Sequence, residues 1–314
     1  HLPLKAPGGL AEAVGKPVGL EARDLVFHAQ GAEIRVSYLS GTLVPAKGGD
    51  LVDLEVPSSF EVEIDALEVR ISEQSLQGGM TGGDKPPFRD LTVRMDGDSI
   101  LLDGHAAMMN LPFSFRANPR VTERGALVLE LEKARVLGIG VRNFIGAFQK
   151  RIESAANKKG HLLDIDQDRL RINPFPFIGP PAIEAKFSSV EVHEHELVAR
   201  LGELTALEEE KGEPGLVLTG GAIRTGSTVL LGVTLSLRAE HGGPLQIDPE
   251  RMEQQIEQGY MKQSGRYTTL YLVAPDALKR DPAVSSSAPP GGTDAGNQPG
   301  KAPSASETTP APDR

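Results

Sequence analysis

The sequence predicts an α+β fold: a highly curved, mainly antiparallel, meandering β-sheet wrapped around one long amphipathic helix, with a second helix near the C-terminus and a disordered tail. Three observations predict it. From about residue 20 onward, apolar and polar residues alternate with period two through many short runs. Residues 142–159 are the long exception. There Phe144, Phe148 and Ile152 fall four apart, and Val141, Ile145 and Ala156 widen the stripe. Arg142, Gln149, Lys150, Arg151, Glu153 and Asn157 take the other side. Finally, short turns separate the alternating runs, which joins neighbouring strands by hairpins and makes the sheet antiparallel.

The elements follow in order. Residues 1–19 form a Gly- and Pro-punctuated lead-in. Residues 20–29 and 33–39 make a hairpin around Gln30-Gly31, with Ile34, Val36 and Tyr38 on one face. In residues 60–71, Phe60, Val62, Ile64 and Ala66 alternate with acids, and the phase then slips to Leu67, Val69 and Ile71. A one-residue slip predicts a β-bulge, which bends a strand. Residues 72–80 read as a short helix capped by Ser72. Strands follow over 91–95 and 99–108, joined by Asp96-Gly97-Asp98, and then over 113–116 and 126–136. After the central helix come strands over 161–165, 170–172, 183–192 and 197–201, and a hairpin of 216–223 with 228–238. Residues 249–263 read as the second helix, with Asp248 as N-cap and Pro249 at the first helical position. Residues 266–273 close the fold as a strand.

Beyond residue 278 the composition changes to Pro, Gly, Ser, Thr, Ala and Asp, with no large apolar residue after Val284. Such a segment buries too little apolar surface to offset its ordering entropy, so 279–314 is expected to be disordered. Residues 20–278 then form one domain, with a candidate subdivision near 203–214. The tail's charges cancel, leaving the net charge of −10 on residues 1–278 and disfavouring nucleic acid as a partner. There is no cysteine, hence no disulfide, thiolate metal site or cysteine nucleophile. His1 is not an initiator methionine. The expected location is extracytoplasmic, in the periplasm or cell envelope, after removal of a signal peptide or release from an anchored precursor; an arbitrary sequence boundary is the alternative.

No constellation carries a catalytic signature. Asp164, Asp166 and Asp168 have the spacing that opens a calcium loop, but Arg169 stands where the loop needs Gly and Phe175 where it needs Glu. They read as a polar turn. His193 and His195 could share a metal on a strand, but the run His193-Glu-His-Glu196 reads better as an exposed hairpin turn. Gly138 and Gly140 lack the third glycine of a dinucleotide loop, and neither a phosphate loop nor a Gly-x-Ser-x-Gly elbow occurs. No metal or cofactor is expected. Phe175, Phe177 and Ile178 sit among prolines, either as a connector packed on the core or as an apolar lip that touches a membrane or guards a cavity. Lys150, Arg151, Lys158 and Lys159 either complement the helix dipole or dock an anionic headgroup. Met80, Met108 and Met109 suit either an adaptable apolar wall or an ordinary core.

The order of elements has a likeness. A strand ending in Glu63-Ile-Asp-Ala-Leu-Glu-Val-Arg-Ile-Ser72 leads to a short helix, then through Pro87-Phe-Arg-Asp-Leu-Thr-Val93 and Leu111-Pro-Phe-Ser-Phe115 to the amphipathic helix, and on to Leu170-Arg-Ile-Asn-Pro174. Over roughly residues 20–275 this resembles the extracytoplasmic LmeA-like (DUF2993-type) phospholipid-binding proteins and, more distantly, the tubular lipid-binding architecture. The resemblance implies a curved sheet around a long helix, with an apolar groove for lipid. The expected function is non-enzymatic binding of a lipid or other apolar small molecule, with transient membrane contact. Phe144, Ile145, Phe148, Ile152, Met108 and Met109 would line the groove. With only 4% aromatic residues and no Trp, the walls would be aliphatic and suited to acyl chains. The competing reading is a structural or interaction protein of the envelope, with a filled core and an unnamed protein partner.

Overall fold

The computed structural model describes residues 13–29, 31–81, 88–106, 110–136, 163–166, 169–174, 186–202, 212–232 and 234–278. The chain divides into two units, His1–Leu278 and Lys279–Arg314, and every described residue belongs to the first. The described residues are mainly β, as expected, but they form three sheets rather than one. The long helix expected over 142–159 and the tail over 279–314 lie outside the described residues.

The largest sheet has ten strands. β1 (Val18–Ala29) and β2 (Ala32–Pro45) form the expected hairpin, and β4 (Phe60–Ser72) pairs with β2. β12 (Glu196–Leu201) then pairs with β4, and β11 (Ser189–His193) with β12. On the other side β13 (Gly215–Thr219) pairs with β1 and β16 (Thr234–Ala239) with β13. β19 (Tyr267–Leu272) lies parallel to β16, and β18 (Tyr260–Ser264) forms the edge. A short β17 (Leu245–Ile247) joins β1 in parallel. Parallel neighbours and long returns mean that this sheet does not meander.

The six-stranded sheet does. Its order is β5 (Phe88–Asp96), β6 (Ser99–Ala106), β7 (Leu111–Val121), β8 (Leu127–Val136), β10 (Arg169–Ile172) and β9 (Leu163–Asp166), antiparallel throughout. The third sheet joins β3 (Val52–Asp53), β14 (Ala222–Thr225) and β15 (Thr228–Leu231). The sequence read β13–β14 and β15–β16 as one long hairpin. It bends instead at Gly220-Gly221 and Gly232, all with positive φ, so its two halves belong to different sheets.

The predicted bulge is present. Ser40 faces Ala66 and Gly41 faces Ile64, which leaves Asp65 unpaired where the hydrophobic phase slips. Ser37 is left out of the same ladder, and Asp24 on β1 sits opposite it in a left-handed conformation. Leu67, Val69 and Ile71 can thereby join Ile34, Val36, Leu197 and Ala199 on one buried face.

Helix α1 (Glu73–Thr81) begins where Ser72 caps it: the Ser75 N–H donates to Ser72 Oγ at 3.1 Å. It buries Leu76 and Met80, and a Cβ on Gly78 would run into the backbone carbonyl of Gly31, so α1 lies directly on the β1–β2 turn. One apolar cluster takes residues from the ten-stranded sheet, from α1 and from the six-stranded sheet, including Phe88, Ile100, Leu102, Phe113 and Phe115.

The second helix is shorter than expected: α2 covers only Met252–Glu257. Asp248 Oδ1 accepts the Glu250 N–H at 3.0 Å, which makes a turn of residues the sequence assigned to the first helical turn. Past Gly259 the chain becomes β18 rather than more helix. Met252, Ile256 and Tyr260 fall four apart, and that spacing mimicked a helical stripe across the junction.

Candidate functional site

The residues expected to line a groove, Phe144, Ile145, Phe148, Ile152, Met108 and Met109, lie outside the described residues. So do the expected lip, Phe175, Phe177 and Ile178, and the expected headgroup cations, Lys150, Arg151 and Lys158. The structure does place the strands from which these segments depart. Ala106 pairs with Leu111 and Phe113 with Val136, so the β6–β7 connection and the exit from β8 share one end of the six-stranded sheet. Ile172 pairs with Leu127 and with Leu163, so the exit from β10 and the start of β9 share the opposite end. The nine residue steps from Leu127 to Val136 separate these ends by roughly 30 Å. At the first end, Phe113 packs on Phe88 and Phe115 with ring centroids 5.3 and 4.9 Å apart.

The face of the ten-stranded sheet opposite the core carries the main array of charged and aromatic side chains. One row of paired positions runs Tyr260, Tyr271 and Arg238; a second runs Arg23, Tyr38, Glu68 and Arg200. Between them, Arg238 Nη1 donates to the Glu213 carbonyl at 2.7 Å, and the Arg23 guanidinium lies 4.9 Å from the Tyr38 ring centroid. Glu68 is the centre. It accepts from Arg70 Nε at 2.9 Å and from Arg200 Nε at 2.8 Å, and its side chain is only 9% exposed. Arg70 continues to Glu196 and Arg200 to Glu191, which ties β4, β12 and β11 together. Burial acts to raise the Glu68 pKa, but the hydrogen bonds from Arg200 and Arg70 outweigh it and hold the carboxyl below its ordinary value. A carboxylate held ionised between two guanidinium groups does not serve as a general acid.

The arginines of this face are already engaged: Arg23 with Glu21, Arg35 with Asp24, Arg70 and Arg200 with Glu68, and Arg238 with Glu213. The array therefore works as an internal clamp rather than an anion receptor. The sequence holds half its signal, since Glu68 and Arg70 at i and i+2 must share a strand face. Arg200 could not be matched to them, because β12 follows β4 only after a long excursion. The aromatic row at Tyr260 and Tyr271 was hidden by the helix assigned to 249–263.

Glu73 joins three elements. Its Oε1 accepts the Met95 N–H and lies 3.1 Å from His195 Nδ1. Burial acts to raise its pKa, while the Met95 N–H and His195 lower it by more. His193-Glu-His-Glu196 is the tight turn expected, with Glu194 and His195 both at positive φ. Asp164 and Asp166 lie on β9, Arg169 opens β10, and Asp168 lies outside the described residues. Among the described residues no group of three His, Asp or Glu side chains could hold a metal ion, and no helix is long and apolar enough to cross a membrane. No protein-family model, no curated protein and no solved structure matches the chain.

Proposed function

We propose that this chain is a non-enzymatic binding protein of the bacterial cell envelope, similar to the LmeA-like phospholipid-binding proteins. Its ligand is a lipid or another apolar molecule held between bent sheet and amphipathic helix. One observation carries the reading. β8 ends at Val136 at one end of the six-stranded sheet, and β9 begins with Leu163 at the other, level with Leu127. The chain between them has roughly 30 Å to travel, and a helix over 142–159 would be about 27 Å long. Laid along the sheet, it would turn Phe144, Phe148 and Ile152 toward the apolar side of the strands. The bulges at Ser37 and Asp65 support the same reading, because they bend the larger sheet as a wrapping surface requires.

Acyl chains fit such a groove physically. Each methylene removed from water contributes about 0.8 kcal/mol, and competition from a bilayer offsets most of that, which favours exchange over storage. The lip residues Phe175, Phe177 and Ile178 would then meet the membrane, and Lys150, Arg151 and Lys158 the headgroup. Glu68, the most buried of the described carboxylates in an ion pair, is committed to structure, which accords with a binding protein.

The test uses the absence of tryptophan. Phe148→Trp supplies a single indole on the proposed groove wall. Titration with phosphatidylglycerol vesicles should shift its emission to the blue, and native mass spectrometry of the purified chain should show bound lipid. An unshifted spectrum together with a lipid-free mass from several hosts would leave a filled-core envelope scaffold as the better account.

A further inference from the structure

We propose that the β18 edge of the ten-stranded sheet pairs with the same edge of a second copy of this chain, making one continuous sheet across a two-fold axis. Among the described residues β18 pairs only with β19, and all five of its residues are exposed. An open edge is normally guarded by a bulge, a proline or an outward-pointing charge. Here the β18–β19 register is unbroken from Tyr260 opposite Tyr271 to Ser264 opposite Tyr267, and β18 contains no proline. Its one charge does not guard the edge. Lys262 Nζ is folded back over the strand's own face, 5.3 Å from the Tyr260 ring centroid and 5.2 Å from that of Tyr271. Those rings stack at 4.7 Å with an interplanar angle of 17°, so the hairpin presents a stiff, flat surface.

The sequence of the edge fits itself. In an antiparallel pair, residues directly opposite one another point to the same face, so a two-fold axis must pass through one residue position. Centred on Met261, it sets the two Met261 side chains together and each Tyr260 opposite Lys262 of the other copy. That arrangement covers Met261, which is 47% exposed, and extends each stacked tyrosine pair with a second cation. Centring on Lys262 would oppose two ammonium groups, so the Met261 register is selected. Residues 260–272 also contain no carboxylate, so two copies of a chain with net charge −10 approach here with less repulsion than elsewhere.

The test is made on the full chain by sedimentation equilibrium, with hydrogen exchange measured at high and low protein concentration. The expected result is a concentration-dependent dimer in which amides within Tyr260–Lys262, the strand positions that the Met261-centred register pairs, gain protection as it forms. Met261→Asp places like charges at the axis and should raise the dimer dissociation constant at least about tenfold. Lys262→Ala should raise it less. Tyrosine near-UV circular dichroism of each variant confirms that the hairpin remains folded. A monomer at every concentration, or a dimer indifferent to Met261→Asp in a folded variant, overturns the proposal. So does protection of β18 that is independent of concentration, which would mean that something other than a second copy covers the edge.

Discussion

The two larger sheets contribute to one core but are assembled in opposite ways. In the six-stranded sheet the neighbours are almost all consecutive in the chain, and turns such as Asp96–Ser99 fix each register locally. In the ten-stranded sheet β4 meets β12 only after more than a hundred residues, and β19 lies parallel to β16. Local hairpins close small loops at low entropic cost; distant pairs close large ones and must be held by what forms afterwards. The difference is visible in the side chains. The distant junction of β4 with β12 carries the nearly buried Glu68–Arg200 clamp, whereas the ion pairs of the local hairpins, Arg120–Glu130 across β7–β8 and Arg94–Asp103 across β5–β6, lie at the surface.

The strongest way to break this comparison is to ask whether the sheets unfold apart. All four tyrosines, Tyr38, Tyr260, Tyr267 and Tyr271, belong to the ten-stranded sheet, and there is no tryptophan. Tyrosine emission therefore reads that sheet alone, while far-ultraviolet circular dichroism reads both. Phe113→Ala, in the six-stranded sheet, removes a ring that is 4% exposed and should cost about 3–5 kcal/mol. Because a single apolar cluster includes both sheets, the urea midpoints by emission and by dichroism should fall together. If the emission midpoint stays in place, the sheets are separate folding units.

The same contrast decides what the sequence could reveal. Hairpins whose two strands lie side by side in the chain, such as β1–β2 and β5–β6, were legible from alternation and turn residues. The bulge was legible too, because Ala66 and Leu67 break a period that the core must restore. β3 and β17 escaped notice, being two and three residues long and defined only by remote partners. The partition of the 216–238 hairpin between two sheets depended on Gly220 and Gly221 turning, and glycine marks a bend without giving its destination. For the site, the amphipathic stripe at Phe144, Phe148 and Ile152 was plain in the sequence. The clamp was not, because no local spacing links Glu68 to Arg200.

A smaller effect sharpens the clamp's role. Glu68→Gln keeps the shape but leaves Arg70 and Arg200 facing a neutral amide, and should cost about 1–3 kcal/mol at neutral pH. The pH dependence follows from the direction of the shift. Glu68 and Glu73 are both held below their ordinary values, so their contribution is complete above the unfolded carboxylate value of about 4.3. It is lost as pH falls from there through the lower, folded values. Urea midpoints measured from pH 7 down to about pH 3 should therefore decline, and less steeply in Glu68→Gln, which has lost one of the two linked protons. A variant with an unchanged acid limb would show that the clamp adds nothing to the linkage.

Ser72 offers the smallest and most local test, where the distant sheet hands the chain to the meander. It ends β4 and caps α1 in one step: its Oγ accepts the Ser75 N–H at 3.1 Å and lies 3.0 Å from Ser75 Oγ. Ser75 Oγ in turn accepts the Glu33 N–H at 3.2 Å, which links the cap to β2. Ser72→Ala should cost about 1 kcal/mol, the usual worth of a serine N-cap, and Ser72→Asp should recover most of it. Recovery by aspartate separates a cap from a packing role, because a carboxylate restores the acceptor but not the hydroxyl donor. If Ser72→Asp is as unstable as Ser72→Ala, the hydroxyl pair with Ser75 matters more than the cap. The junction between the two sheets would then rest on that side-chain link to β2 rather than on the helix start.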